Sequence, residues 1–194
     1  MYGRLMIVAC GLCLVGSIAS AGPFGLQMGQ PVDDLDVEEA INSHIYRLAS
    51  VPEPHPTLAT YSAIVHKETG LCKVRAVSEE IYTSSFGHQM RTEFTRIVDQ
   101  IRKTYGDPKV FDFINHGSLW DDPRYFMRSL RSKDRRLVAI WDQEYDYTIN
   151  EDVSGIMVEA KSLDDAVGVL NIEFEFSNIS ECAAKIEVEE ASAF

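Results

Sequence analysis

Apolar residues along the 194-residue chain fall into two periods. Met90, Phe94, Ile97, Val98, Ile101 and Tyr105 recur three or four apart, while Arg91, Glu93, Arg96, Asp99, Arg102 and Lys103 fill the other positions. That spacing predicts one amphipathic helix, and Gly106 followed by Pro108 predicts its end. Leu170, Ile172, Phe174 and Phe176 instead alternate with Asn171, Glu173 and Glu175. Period two predicts a strand over 167–177 with one dry and one wet face. Shorter runs predict strands at 45–51, 61–66, 71–77, 137–141 and 155–160, and Lys67-Glu68-Thr69-Gly70 predicts a hairpin turn between the second and third of these. Pro52-Glu53-Pro54-His55-Pro56 predicts an extended segment, since proline cannot donate to a ladder.

Two further helices are expected. Pro31 with Asp33, Asp34 and Asp36 carries N-terminal helix signals and predicts a short helix over about 33–43. Asp121-Asp122-Pro123 supplies a carboxylate cap and a first-position proline for a second, which would bury Phe126, Met127 and Leu130. Strands with one solvated face suit antiparallel pairing. The expected class is therefore α+β, an antiparallel sheet with helices packed on one face, conceivably as two αβββ halves.

The first 21 residues change the picture of where this fold matures. Arg4 precedes an apolar run over 5–18 and the small-residue pattern Ala19-Ser20-Ala21, which predicts a signal peptide cleaved after Ala21 and a single domain over 22–194. Cys10 follows Ile7-Val8-Ala9 in a lipobox-like run, but too little apolar chain precedes it for lipidation to be expected. No later segment is long and apolar enough for a membrane span, so no stable membrane insertion is expected after cleavage. Cleavage leaves Cys72 and Cys182 as the only cysteines, and in an oxidising compartment they are expected to form a disulfide. A periplasmic or secreted location follows.

Charge narrows the partners. The whole chain carries a formal net charge of −12 and a sequence pI near 4.8, which argues against a nucleic-acid groove. The acid is concentrated in the last quarter: residues 142–194 hold 14 acidic and 2 basic side chains. Arg124, Arg128, Arg131, Lys133, Arg135 and Arg136 face only Asp134 within their own stretch. On a helix Arg124, Arg128 and Arg131 share one face. They are either compensated by acidic loops or form a charged docking surface, with Trp120 and the acidic Asp142, Glu144 and Asp146 as further candidate partner-binding residues.

No catalytic or cofactor signature stands out. His44, His55, His66, His88 and His116 include neither H-E-x-x-H nor H-x-H, so no metal is expected. The acidic run from Asp142 to Asp152 lacks the glycine and the bidentate glutamate of a calcium loop, with Tyr147 and Val153 in those places. His116, Ser118 and Asp121 lie close in sequence without a G-x-S-x-G elbow, and there is neither a Walker loop nor a G-x-G-x-x-G. No cofactor is therefore expected. Asn178-Ile179-Ser180 matches a glycosylation sequon.

Phe24-Gly25-Leu26-Gln27-Met28-Gly29, followed by acidic helix signals, resembles the opening of small exported bacterial α+β proteins. These belong to the broad group with outer-membrane-assembly-lipoprotein and β-lactamase-inhibitor-protein folds. The resemblance covers about 20 residues, transfers no functional residue, and implies helices on an antiparallel sheet serving as a protein-binding platform. The chain departs from it by lacking a well-placed lipidation cysteine and by its long helix up to Tyr105. The expected function is a non-catalytic binding or inhibitory module whose partner is another envelope or secreted protein. The alternatives are a hydrolase with dispersed catalytic residues and a structural envelope component.

Overall fold

The computed structural model describes residues 22–142 and 152–192. The expected leader with Cys10 and Cys13, and the stretch of the acidic loop with Glu144 and Asp146, lie outside the described residues. Among these, nine strands form one antiparallel sheet: β1 (Val37–Ala40), β2 (Ile45–Leu48), β3 (Leu58–His66), β4 (Gly70–Ser78), β5 (Ile81–Tyr82), β6 (Lys109–Ile114), β7 (Arg135–Asp142), β8 (Val153–Ser162) and β9 (Val167–Phe176). The helices are α1 (His88–Tyr105), α2 (Phe126–Arg131) and α3 (Ile179–Ala191). The fold is α+β. No described helix is long and apolar enough to cross a membrane.

Strand order is β1-β2-β3-β4-β9-β8-β7-β6, with short β5 paired to the start of β9. Two four-stranded meanders therefore meet through their last strands, β4 and β9. Each is followed by a helix that crosses to the other meander, α1 onto β8 and β9 and α3 onto β3 and β4. The halves are thus ββββα rather than αβββ, and α2 is an insertion between β6 and β7.

The expected helix over 33–43 is not formed. Val32–Asp34 makes a single 3-10 turn, and β1 begins at Val37. The acidic residues suit an N-terminus and Val37, Ala40 and Ile41 fall at helical spacing, but the turn at Asn42 cuts that stripe too short to hold a helix. The chain instead turns at Asn42, whose Oδ1 accepts from the N–H groups of His44 (2.9 Å) and Ile45 (2.8 Å), and pairs back as the β1–β2 hairpin. Strand β6 and helix α3, neither predicted, open and close the second half.

Register sorts the sheet into two faces. Tyr61, Ala76, Ile172, Val158 and Ala139 form one row across five strands, all buried. Met90, Phe94, Ile97 and Val98 of α1 and Phe126, Met127 and Leu130 of α2 belong to the same apolar core. Helices and sheet pack closely at Gly168, where an added Cβ would lie 2.3 Å from the Met90 methyl and 2.5 Å from the Lys161 carbonyl oxygen. At the edge of this core, Phe24 packs edge-on against Tyr61 (5.1 Å) and Phe174 (5.5 Å).

The opposite face carries charge. Its central row runs Ser62, Arg75, Glu173, Met157 and Ile140. Glu173, buried in this row, bonds Lys73 and receives Arg75 Nε and Nη2 at 2.8 Å. Burial opposes its ionisation, but hydrogen bonds from Lys73 and Asn171, with the charges of Lys73 and Arg75, prevail and hold its carboxyl below the usual glutamate range. Glu159 is also buried and lies between Arg136 and Lys161. These clusters tie β4 to β9 and β7 to β8 where no helix supplies apolar cover.

Candidate binding surface

The approach to α2 is built by local hydrogen bonds. Ser118 Oγ accepts from Trp120 N–H and donates to Asp134 Oδ2, each at 3.1 Å, and Ser132 Oγ donates to the same carboxylate oxygen at 2.9 Å. Asp122 accepts from Arg124 N–H at 2.9 Å and from its Nη2 at 2.8 Å, capping the 3-10 turn Pro123–Tyr125 that leads into α2. These bonds from Arg124 hold the Asp122 carboxyl below the usual aspartate range. The predicted cap is therefore present, although the first turn is 3-10 and α2 itself begins at Phe126.

That framework gathers aromatic and guanidinium groups on one face. The Trp120 and Tyr125 rings meet edge to face at 5.4 Å, the Arg128 guanidinium lies 4.2 Å over Trp120, and that of Arg124 lies 5.7 Å over Tyr125. Leu119 beside them is 85% exposed and Phe86 is 45% exposed. A cleft of about 650 Å³ opens between Phe86, Pro123, Tyr125 and Arg128. Asp165, from the β8–β9 turn, accepts Arg131 at 3.2 Å and approaches Arg128 at 3.9 Å. One exposed carboxylate thus answers two arginines, so acidic compensation is present but incomplete.

Four of the expected partner-binding residues, Trp120, Arg124, Arg128 and Arg131, come together here. Arg124 precedes the helix, so only Arg128 and Arg131 share a helical face. Asp142 ends β7 at the far end from α2 and lines a separate cleft of about 300 Å³ with Met157, Glu173 and Glu175. Glu144 and Asp146 lie outside the described residues. Cys72 and Cys182 form the expected disulfide, joining β4 to α3. Ser118 is engaged by Asp134 rather than by exposed His116, so the triad-like sequence does not assemble as one. Asn178 of the sequon turns its Nδ2 onto the carbonyls of Thr69 (3.0 Å) and Leu71 (3.1 Å), which makes it a clamp on the β3–β4 turn.

A second constellation escaped sequence reasoning. His44 and His66 stack with ring centroids 5.8 Å apart, and their Nε2 atoms lie 3.5 and 3.3 Å from the two oxygens of Glu189 on α3. Lys67 Nζ reaches the same carboxylate at 2.5 Å and holds it below the usual glutamate range. The signal that brings the histidines together is register: Val65 N–H donates to the His44 carbonyl, setting position 44 beside the end of β3. His66 Nδ1 accepts from Glu68 N–H at 3.2 Å, while its buried Nε2 faces Glu189 at 3.3 Å without making a hydrogen bond. Among the described residues no three His, Cys, Asp or Glu side chains are placed to share a metal ion. The cluster serves as a latch for the end of α3. Comparison with family models, with curated proteins and with solved structures finds no match for this chain.

Proposed function

We propose that this protein is an exported, non-catalytic module that binds another envelope or secreted protein through the Trp120–Tyr125–Arg128 face. The observation that carries the reading is the stack of Arg128 on Trp120, with Tyr125 at its edge and Leu119 exposed beside it. Tryptophan, tyrosine and arginine dominate the energetically decisive positions of protein interfaces. Here they are preorganised by the Ser118–Asp134 and Asp122 hydrogen bonds, which reduces the ordering cost of binding. The apolar N-terminal stretch and the Cys72–Cys182 disulfide support a periplasmic or secreted setting.

The test is affinity capture from the exported fraction with wild-type protein, identification of the captured chain, and its titration against Trp120→Ala and Arg128→Glu. Each variant is expected to weaken binding by ten-fold or more, about 1.4 kcal/mol, with an unchanged far-UV spectrum. Raising salt should slow association, because the arginines outnumber their local carboxylates. Equal affinity of both variants for the captured chain would remove this face from the function.

A further inference from the structure

Arg131, Lys133, Arg135, Arg136 and Lys161 line a third cleft of about 380 Å³, in which Glu159 is the one lining carboxylate among the described residues. In a chain of net charge −12 this concentration of cations runs against the composition. Glu159 is already committed: Oε1 takes Arg136 at 3.2 Å and Oε2 takes Lys161 at 2.5 Å. Arg135 turns its guanidinium to the helix side of β7, giving Nη1 to Asp112 at 2.8 Å and lying 5.2 Å over the Phe126 ring, and Arg131 is paired with Asp165 at 3.2 Å. Lys133 has no carboxylate within 4.0 Å among the described residues.

The backbone adds a second observation. Lys133 adopts φ +63°, a left-handed conformation that favours glycine, at the turn that closes α2. Its N–H bonds the Leu130 carbonyl at 3.1 Å, Ser132 N–H bonds that of Arg128 at 2.9 Å and Ser132 Oγ that of Ser129 at 3.2 Å, so the helix end is satisfied without the Lys133 side chain. The turn would be served as well or better by glycine.

We propose that this cleft binds a phosphate monoester. Guanidinium forks match tetrahedral oxyanions, several surrounding cations favour a dianion over a single carboxylate, and the volume suits a small molecule or one headgroup rather than a polypeptide segment. The site shares Arg131 with the Trp120 face and does not otherwise depend on it.

The experiment titrates the full chain with inorganic phosphate, against sodium chloride of matched ionic strength, by calorimetry and amide chemical shifts. A saturable response centred on residues 131–136 and 159–162 is expected, with Kd raised five-fold or more in Lys133→Gly while the thermal midpoint does not fall. Arg136→Gln should weaken binding similarly. Phosphatidic acid vesicles, with phosphatidylcholine vesicles as control, separate a lipid headgroup from a soluble source: capture that free phosphate competes away points to the headgroup, and no capture points to a soluble ester. The proposal is overturned if phosphate gives no saturable response beyond chloride, or if Lys133→Gly and Arg136→Gln both bind as wild type. Vesicle capture that phosphate does not compete, or binding of a Glu-rich peptide without phosphate binding, would overturn it equally.

Discussion

Helices α1 and α3 occupy corresponding places, each after a four-stranded meander and each against the last two strands of the other, yet they are secured by different forces. Along α1, Met90, Phe94, Ile97 and Val98 are buried in the common core. Along α3 the anchoring residues also recur at helical spacing, at 178, 182, 185 and 189, but they are an asparagine, a cysteine, a lysine and a glutamate. Asn178 clamps the β3–β4 turn, Cys182 is bonded to Cys72, Lys185 reaches Glu68 at 2.5 Å, and Glu189 sits between His44, His66 and Lys67. Val188 of the same helix is 69% exposed. One helix is fixed by exclusion of water, the other by a covalent bond and directed polar contacts, so the two should respond to different perturbations.

The largest expected effect is in α1. Phe94→Ala deletes a buried ring, and unfolding in urea should show a loss of about 3–5 kcal/mol. An equal loss from Val188→Ala on α3 would erase the contrast. Next, replacing Cys72 and Cys182 together by alanine should cost about 2–4 kcal/mol, because the bond closes a 110-residue separation in the unfolded chain. Amide exchange should then rise across 179–191 and stay slow across 88–105. Uniform acceleration in both helices would show that α3 is held by more than its tether and polar contacts.

The β4–β9 seam between the two halves gives a third prediction. The Glu173 carboxyl lies below its ordinary value in the folded state, so its contribution is complete above the unfolded glutamate pKa, about 4.3, and is lost as pH falls through the depressed folded value. Glu173→Gln should flatten the loss of stability on acidification below about pH 4.5 and cost about 1–3 kcal/mol at neutral pH, since Lys73 and Arg75 lose their shared partner. A variant with an unchanged acid limb would remove Glu173 as its source. The smallest effect is at the end of α3. Glu68 and Glu189 are both held below the usual range, by Lys185 and Lys67 respectively, so acidification through those values should raise amide exchange near residue 189 before it does so in α1. Both pairs are solvent-exposed, and Lys185→Ala should leave the unfolding midpoint unchanged while sharpening that local response.

The same contrast explains what could be read in advance. The stripe of α1, the alternation of β9, the β3–β4 hairpin and the Asp122 cap all advertise themselves because burial or capping imposes a spacing on neighbouring residues. Helix α3 was invisible to that reading, since its periodic face is polar and its partners lie more than a hundred residues away. Edge strand β6 was missed for a related reason. Lys109-Val110-Phe111-Asp112-Phe113-Ile114 mixes apolar residues on both faces, and Val110 and Phe113 remain about half exposed. At the binding surface the arginine row was legible, whereas the stacking of Arg128 on Trp120 required the Ser118 turn to bring a loop over the helix.

Residues close in sequence thus determined most of the elements, the cap before α2 and the concentration of cations after it, because periodicity, capping and local charge act over a few positions. The pairing of Cys72 with Cys182 was also legible, on the expectation that Cys10 and Cys13 belong to a leader. Only the tertiary structure decided that two ββββα halves exchange helices, that histidines 22 positions apart latch one glutamate, and that Arg131, Lys133, Arg136 and Lys161 share a cleft. Those outcomes depend on strand register and on contacts between distant segments. Shifting a strand by one residue turns each of its side chains to the opposite face, and no local pattern fixes that choice.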